Sequence, residues 1–186
     1  MRRIRKIFSS LPKYLLWAVL STLFWMWIFT LITDTSAEKK VVLYADVSFL
    51  ADPELAVKLE ETMPEGIRMI KAHNFSYSMF SGSELMAADI YIVAGSSIPD
   101  YYESFLPLPE RYAAMGEETF SWQNTVYGLR VYDAASGKGA ASSYITYPGG
   151  DHRAEDYYLC FGVNSLHCGE LDEAAFAIAD VLLSLN

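Results

Sequence analysis

The sequence predicts an α/β protein: an N-terminal transmembrane helix followed by a single three-layer α/β/α domain with a mixed, mostly parallel sheet. Three observations lead there. Residues 14–32, YLLWAVLSTLFWMWIFTLI, hold no charged side chain, and a run of that length crosses most of a bilayer's hydrocarbon core as a helix. Behind it, short apolar β-rich runs alternate with helical patterns in the order β-α-β-α-β-α, the sign of a parallel sheet with helical crossovers. The second half then switches to β-rich runs around a Gly-rich reversal and closes on an apolar helix, which makes the sheet mixed.

The run at 14–32 is apolar on every side and carries Trp17, Trp25 and Trp27, a composition suited to lipid rather than to a domain interior. Arg2, Arg3, Arg5, Lys6 and Lys13 precede it. That excess of positive charge assigns residues 1–13 to the cytoplasm as a basic tail and everything after the helix to the outside. A basic start before an apolar run also opens secretory signal peptides, and Thr35-Ser36-Ala37 offers a cleavage site. The run exceeds the usual 7–15 residues of a signal peptide's apolar region, which favours an uncleaved signal anchor. Residues 33–40 form a short polar linker, and residues 41–186 a domain long enough for a real core.

All 23 acidic residues follow the apolar run, against nine of the 14 basic ones, a net charge of −14 outside. Such a surface repels nucleic acid and anionic lipid, so the expected partners are a protein or a small polar solute. Cys160 and Cys168 are the only cysteines. A disulfide between them persists outside a membrane only if the chain turns back at Asn164-Ser165; otherwise they are two plain thiols. His167 beside Cys168 is too little for a tetrahedral metal site.

The elements follow in order. VVLYAD at 41–46 reads as a buried strand. Asp52-Pro53 opens a helix, with Asp as N-cap and Pro at the first helical position, and Leu55, Leu59 and Met63 on its inner face; Pro64 and Gly66 end it. IRMIKA at 67–72 is the second strand. Residues 81–88 suggest a helical turn or two with Leu85 and Met86 inward. DIYIVAG at 89–95 is the third strand, and a helix within 96–105 is stopped by Leu106-Pro107-Leu108-Pro109. TVYGLRVYD at 125–133 alternates as a strand. AASGKGAA at 134–141 reverses the chain, and SSYITY at 142–147 answers as the second arm of a hairpin. Residues 148–152 make another turn, and DYYLCFGV at 156–163 another strand. The final helix, 172–185, turns Leu171, Ala175, Ile178, Leu182 and Leu185 inward.

VVLYAD, the helix running to Pro64, GIRMIKA and ADIYIVAGSSIPDYYESFLPLPERY together resemble lobe one of type 2 periplasmic-binding-protein folds, in particular the extracellular solute-binding family of bacterial carbohydrate ABC transporters. YYLCFGVNSLH followed by DEAAFAIADVLLSL resembles that lobe's returning strand and late helix. The resemblance covers about residues 41–110 and 126–186. It implies a solute-binding-like domain partnered by an ABC transporter component. Members of that family carry a second lobe, for which the segment between Tyr112 and Thr125 leaves no room.

In open α/β sheets ligands gather at the carboxyl ends of the strands. The candidate binding residues are therefore Asp46 and Ser48 after the first strand and Gly95, Ser96 and Ser97 after the third, the last three offering hydroxyls and exposed backbone to a polyol or an anion. Their plainer roles are a turn residue for Asp46 and an N-cap for Ser96 or Ser97. Trp122, between the halves, offers a face for a sugar ring, or simply covers an edge of the core. The loop Asp133–Lys138 lacks the alternating acids of a calcium loop and the residue order of a phosphate loop. No nucleophile, base and orienting acid stand at a recognisable spacing. The expectation is a binding module with no catalytic set, no metal and no cofactor.

Overall fold

The domain is built outward from β1 (Lys40–Ala45), whose neighbours on both sides run parallel to it: β3 (Met69–Asn74) on one side and β4 (Ile90–Ala94) on the other. The computed structural model describes residues 2–33, 35–75, 85–148 and 155–185. It divides into two compact units, Met1–Thr35 and Ser36–Asn186.

The first unit is one helix, α1 (Arg2–Thr33), in which Pro12–Thr30 is long and apolar enough to cross a membrane. Nineteen residues at the helical rise span about 28 Å, close to a hydrocarbon core of about 30 Å. The two threonine hydroxyls inside the span bond back to the helix's own carbonyls, Thr22 to Ala18 and Thr30 to Met26, each at 2.9 Å. Both hydroxyl donors are thereby satisfied within the helix.

In the second unit the main sheet has the order β3-β1-β4-β10-β7-β6, with β6 at Thr119–Trp122, β7 at Thr125–Asp133 and β10 at Tyr157–Gly162. Strands β10, β7 and β6 pair antiparallel in turn. Four of the six strands, β3, β1, β4 and β7, therefore run one way. Two short strands extend the sheet, β5 (Phe105–Leu106) on β10 and β8 (Lys138–Gly139) on β7. A separate two-stranded sheet joins β2 (Phe49–Leu50) to β9 (Ile145–Thr146).

Alternation along the strands sorts the core into two faces. Val41, Leu43 and Ala45, Ile90 and Ile92, and Leu159 and Phe161 point to the first face. There they meet Leu55 and Leu59 of α2 (Asp52–Glu60) and Ala175, Ile178 and Leu182 of α5 (Ala174–Ser184). Tyr91, Val93 and Cys160 point to the second face, where Ile98 of the short α3 (Ile98–Tyr101) and Phe105 cover them. Tyr112 of α4 (Glu110–Ala113) stacks on Phe161 at 5.9 Å and joins the first face. Among the described residues the three layers are thus unequal, with α2, α5 and the one-turn α4 on one side and one turn of α-helix on the other.

Several elements depart from the sequence expectation. Asp52 is the first residue of α2 rather than its cap; Ala51 holds the cap position without a side-chain bond. Leu171 is 54% exposed rather than inward, because the helix begins three residues beyond it. The reversal at 134–141 is present, but its second arm is only β8, and Ile145–Thr146 turns away to pair with β2. The hairpin β6–β7 was not foreseen; its turn, Gln123-Asn124, holds both residues at positive φ, 50° and 66°, the conformation of a tight two-residue hairpin turn. Of the turns expected at 81–88, Leu85–Ala87 form a 3-10 turn; residues 81–84 and most of the turn at 148–152 lie outside the described residues.

The two thiols are not bridged. Cys160 is fully buried in β10 on the second face, whereas Cys168 packs against the first-face core. The sheet itself stands between them, so the turn at Asn164-Ser165 does not bring them together. Burial pushes both thiols up, Cys168 to about 12, with the charges of Asp89 and Asp172 adding to it.

Candidate functional site

The parallel strands have the order β3-β1-β4, so the chain leaves β1 to one side first and to the other side next. The first crossover carries α2 on the first face; the second is bounded by Phe75 and Ala88 on the second face. Connections that diverge in this way open a crevice at the carboxyl ends of the two strands between them. Here those ends are Ala45-Asp46 and Ala94-Gly95.

Asp46, Gly95, Ser96 and Ser97 come together at that rim. The Asp46 amide donates to the Ile92 carbonyl of β4 at 2.8 Å, which fixes the turn out of β1. Ser48 is exposed, and its amide donates to Thr146 of β9 at 3.0 Å, tying the same turn to the small second sheet. Gly95 donates to the Asp156 carbonyl at 3.0 Å. A side chain at Gly95 would meet the ring of Tyr158 at 2.9 Å, so the close approach of the two strand ends needs glycine.

The strand β10 brings acids to the rim that the sequence reading did not include. Glu155 Oε2 accepts the Ser96 amide at 3.2 Å. Asp156 accepts the Ala134 amide at 2.8 Å and stands 3.7 Å from Arg130. Burial raises the Asp46 carboxyl above its ordinary range, and the negative charge of Glu155 raises it further. The amide position proposed for an anion is thus held by the chain's own carboxylate, within a group of acids. Glu155 was hard to find because it lies 59 residues from Ser96 and shares no pattern with it; the antiparallel return of β10 alone places it there.

The aromatic side chains beside the rim are structural. Tyr132 and Tyr147 stack at 4.7 Å with an interplanar angle of 14°, and Tyr157 meets Tyr147 at 5.6 Å. Tyr147 and Tyr157 are buried, and Tyr147 donates to the Ala140 carbonyl at 3.0 Å. Trp122 does not join the rim. It pairs with Thr125 at the start of β7, whereas Tyr132, which is level with Tyr157 and Ala94, lies seven residues on, about 23 Å along a strand.

A second polar cluster lies at the opposite ends of these strands. Asp89, 4% exposed, accepts the Val42 amide at 2.8 Å and the Ser165 hydroxyl at 2.6 Å. Ser165 in turn accepts the His167 amide at 3.1 Å, and the His167 ring bonds Asp172 and the Ala37 carbonyl. Serine, histidine and two acids are thus near one another, but the imidazole faces neither hydroxyl nor open space. The geometry is that of a buried brace, not of an activated nucleophile. Among the described residues no group of three or more His, Cys, Asp or Glu is placed to hold a metal ion.

No family model matches the chain, and no curated protein does. Five solved chains match it. One is the spermidine/putrescine ABC transporter substrate-binding protein PotD from Streptococcus pneumoniae, 18% identical, covering 50% of this chain and 32% of its own, with a TM-score of 0.35. Another is thiaminase I from Bacillus thiaminolyticus, 14% identical, covering 50% of this chain and 28% of its own, with a TM-score of 0.33. The chain spans about a third of the length of these solved proteins. Overlap so slight carries no argument about ligand or activity.

Proposed function

We propose that the chain is a membrane-anchored extracytoplasmic binding module that works beside a solute transporter and performs no catalysis itself. The positive tail sets the N-terminus in the cytoplasm, and the resemblance of the strand and helix pattern to solute-binding domains suggests an ABC transporter component as the neighbouring protein. The observation that carries the binding reading is the bond from the Ser96 amide to Glu155 at the crevice rim. It fills the anion position and leaves Asp46 and Glu155 as acceptors, so the group recognised there is positively charged or rich in hydroxyls, whether on a protein partner or a small solute.

A thermal-shift screen of the full-length protein in detergent micelles tests this. The panel holds sugars, amino acids, linear polyamines, sulfate and phosphate. Binding to the folded state alone raises the melting temperature by mass action, with about 2.7 kcal/mol gained at a hundred times Kd. A saturable rise with a cation or polyol, lost in Asp46→Asn with Glu155→Gln, supports a small-solute site. A rise with sulfate or phosphate alone refutes the assignment of the rim. A flat response across the panel leaves a protein as the partner, to be captured by photo-crosslinking from position Ser48.

A further inference from the structure

His167 is 1% exposed, yet each ring nitrogen has a partner. Nδ1 lies 2.9 and 3.0 Å from the two carboxylate oxygens of Asp172, and Nε2 lies 3.0 Å from the Ala37 carbonyl oxygen. A carboxylate and a carbonyl only accept, so both nitrogens must carry a proton for both bonds to form. Only the imidazolium makes both bonds. Asp172 is fixed by accepting the Ala174 amide at 2.9 Å, and the His167 backbone is fixed by Ser165 and Ala175. Ala37 is different. It belongs to an exposed 3-10 turn, Ala37–Lys39, just before β1, held within itself by the bonds from the Lys39 amide to Ser36 and from the Lys40 amide to Ala37, and tied to the sheet at its far end where the Lys39 carbonyl accepts the Arg68 amide at 2.8 Å.

We propose that His167 is a proton-operated clasp on the segment where the chain enters the outer unit, closed when the ring is doubly protonated and open when it loses a proton. A neutral ring keeps its one proton on Nδ1, donated to the stronger acceptor, Asp172, and turns the Nε2 lone pair toward the Ala37 carbonyl. That contact then repels, and residues 37 and 38 are released, while Lys39 stays held by the Arg68 amide. Those two residues add about 7 Å of extended chain ahead of β1, so an open clasp gives the domain a longer tether. The tether's meaning rests on the membrane-anchor reading; the clasp itself does not.

The groups facing the ring fix the direction of the pH response. Burial alone pushes the imidazole down, but the Ala37 carbonyl, the Asp172 carboxylate and the charge of Asp89 at the head of β4 together hold it above its ordinary value of 6.5. Cys168, beside it, is held up near 12 and stays neutral. Glu38 and Lys39 on the 3-10 turn are solvent-exposed. The clasp is therefore closed in acid, fully so below pH 6.5, and opens as pH rises through the raised value.

The test is amide hydrogen exchange of the full-length protein in micelles between pH 5.5 and 9, with each rate divided by its intrinsic chemical rate at that pH. Wild-type amides at residues 39 and 40 are expected to lose protection about tenfold or more across the range, the effect of losing one charge-assisted bond, while amides of β4 stay flat. His167→Gln carries its donors on a single nitrogen, cannot donate in both directions and does not titrate, so its turn should be open and pH-independent. Asp172→Asn should move the wild-type midpoint down. A flat wild-type profile overturns the proposal, as does a His167→Gln profile that follows the wild type. If His167→Gln does not fold, the wild-type and Asp172→Asn profiles decide alone. None of these readings depends on what the rim binds.

Discussion

Replacing Asp89 by alanine removes the acceptor of two bonds at once, from the Val42 amide at 2.8 Å and the Ser165 hydroxyl at 2.6 Å. Both donors sit beside a carboxyl that is 4% exposed, where water does not readily replace it. A buried donor left without a partner costs about 1–3 kcal/mol. The hydroxyl can rotate and recover part of its share; the amide cannot. The expected loss is about 2–4 kcal/mol, a large part of a typical total of about 5–15 kcal/mol. With a urea m-value of about 2 kcal/mol/M, the midpoint of residues 36–186 should fall by about 1–2 M. Asp89→Asn is the decisive partner variant. Its carbonyl can keep the Val42 amide while its NH2 donates to Ser165, so it should lose less than about 1 kcal/mol. It should also flatten the acid limb. Burial raises the wild-type carboxyl above 3.8, so its ionisation costs stability as pH climbs from 3.8 through the raised value, and an amide has no such step. An alanine variant within about 0.5 kcal/mol of wild type, or an asparagine variant as damaged as alanine, would refute the account of this buried carboxylate.

Three further substitutions probe the packing. A methyl group at Gly162 would run into the Ala88 carbonyl and lie 3.1 Å from the Tyr91 ring, so Gly162→Ala should cost about 2–3 kcal/mol by urea denaturation, whereas Gly137→Ala, with φ of +67° and nothing within 4 Å, should cost about 1 kcal/mol of backbone strain. Tyr112→Phe keeps the stack on Phe161 but loses the hydroxyl's bonds to Asp180 at 2.6 Å and to the Phe176 carbonyl at 3.2 Å, a loss of about 1–2 kcal/mol in the same assay.

The parallel half of the sheet was legible because β4 is buried on both faces and β1 on one with its other face half-covered, so both read as unbroken apolar runs, IYIVA and VVLYA, between polar punctuation. The rim residues Asp46 and Gly95–Ser97 followed from that, since the crevice is a property of strand order. The antiparallel half was harder. Residues 142–147 look like a partner for β7, but Ile145 is buried where it pairs with Leu50, and a two-residue pairing leaves no periodic trace. The strand β6 was passed over because TFSW is only half-buried and too short to show alternation. Glu155 and the cluster of Asp89, Ser165, His167 and Asp172 were invisible for another reason. Polar partners are chosen by three-dimensional proximity, and Asp89 and Ser165 stand 76 residues apart with nothing in the intervening chain to mark them as a pair.

The position of β10 has a consequence for biosynthesis. It is the last strand in the sequence among the described residues, yet it fills the middle of the sheet, with β4 on one side and β7 on the other. While a ribosome is still making residues 134–156, the nascent chain already carries β1, β3 and β4 in one piece and β6 and β7 in another, with an open seam between them. Both borders of that seam are unpaired edges able to recruit a wrong strand, and the long-range closure that heals it is intrinsically slow. The nascent chain thus stays unfinished and becomes a domain only when β10 arrives. Damage to β10, even far from the rim, would leave the earlier strands exposed to proteases rather than merely loosen a finished fold.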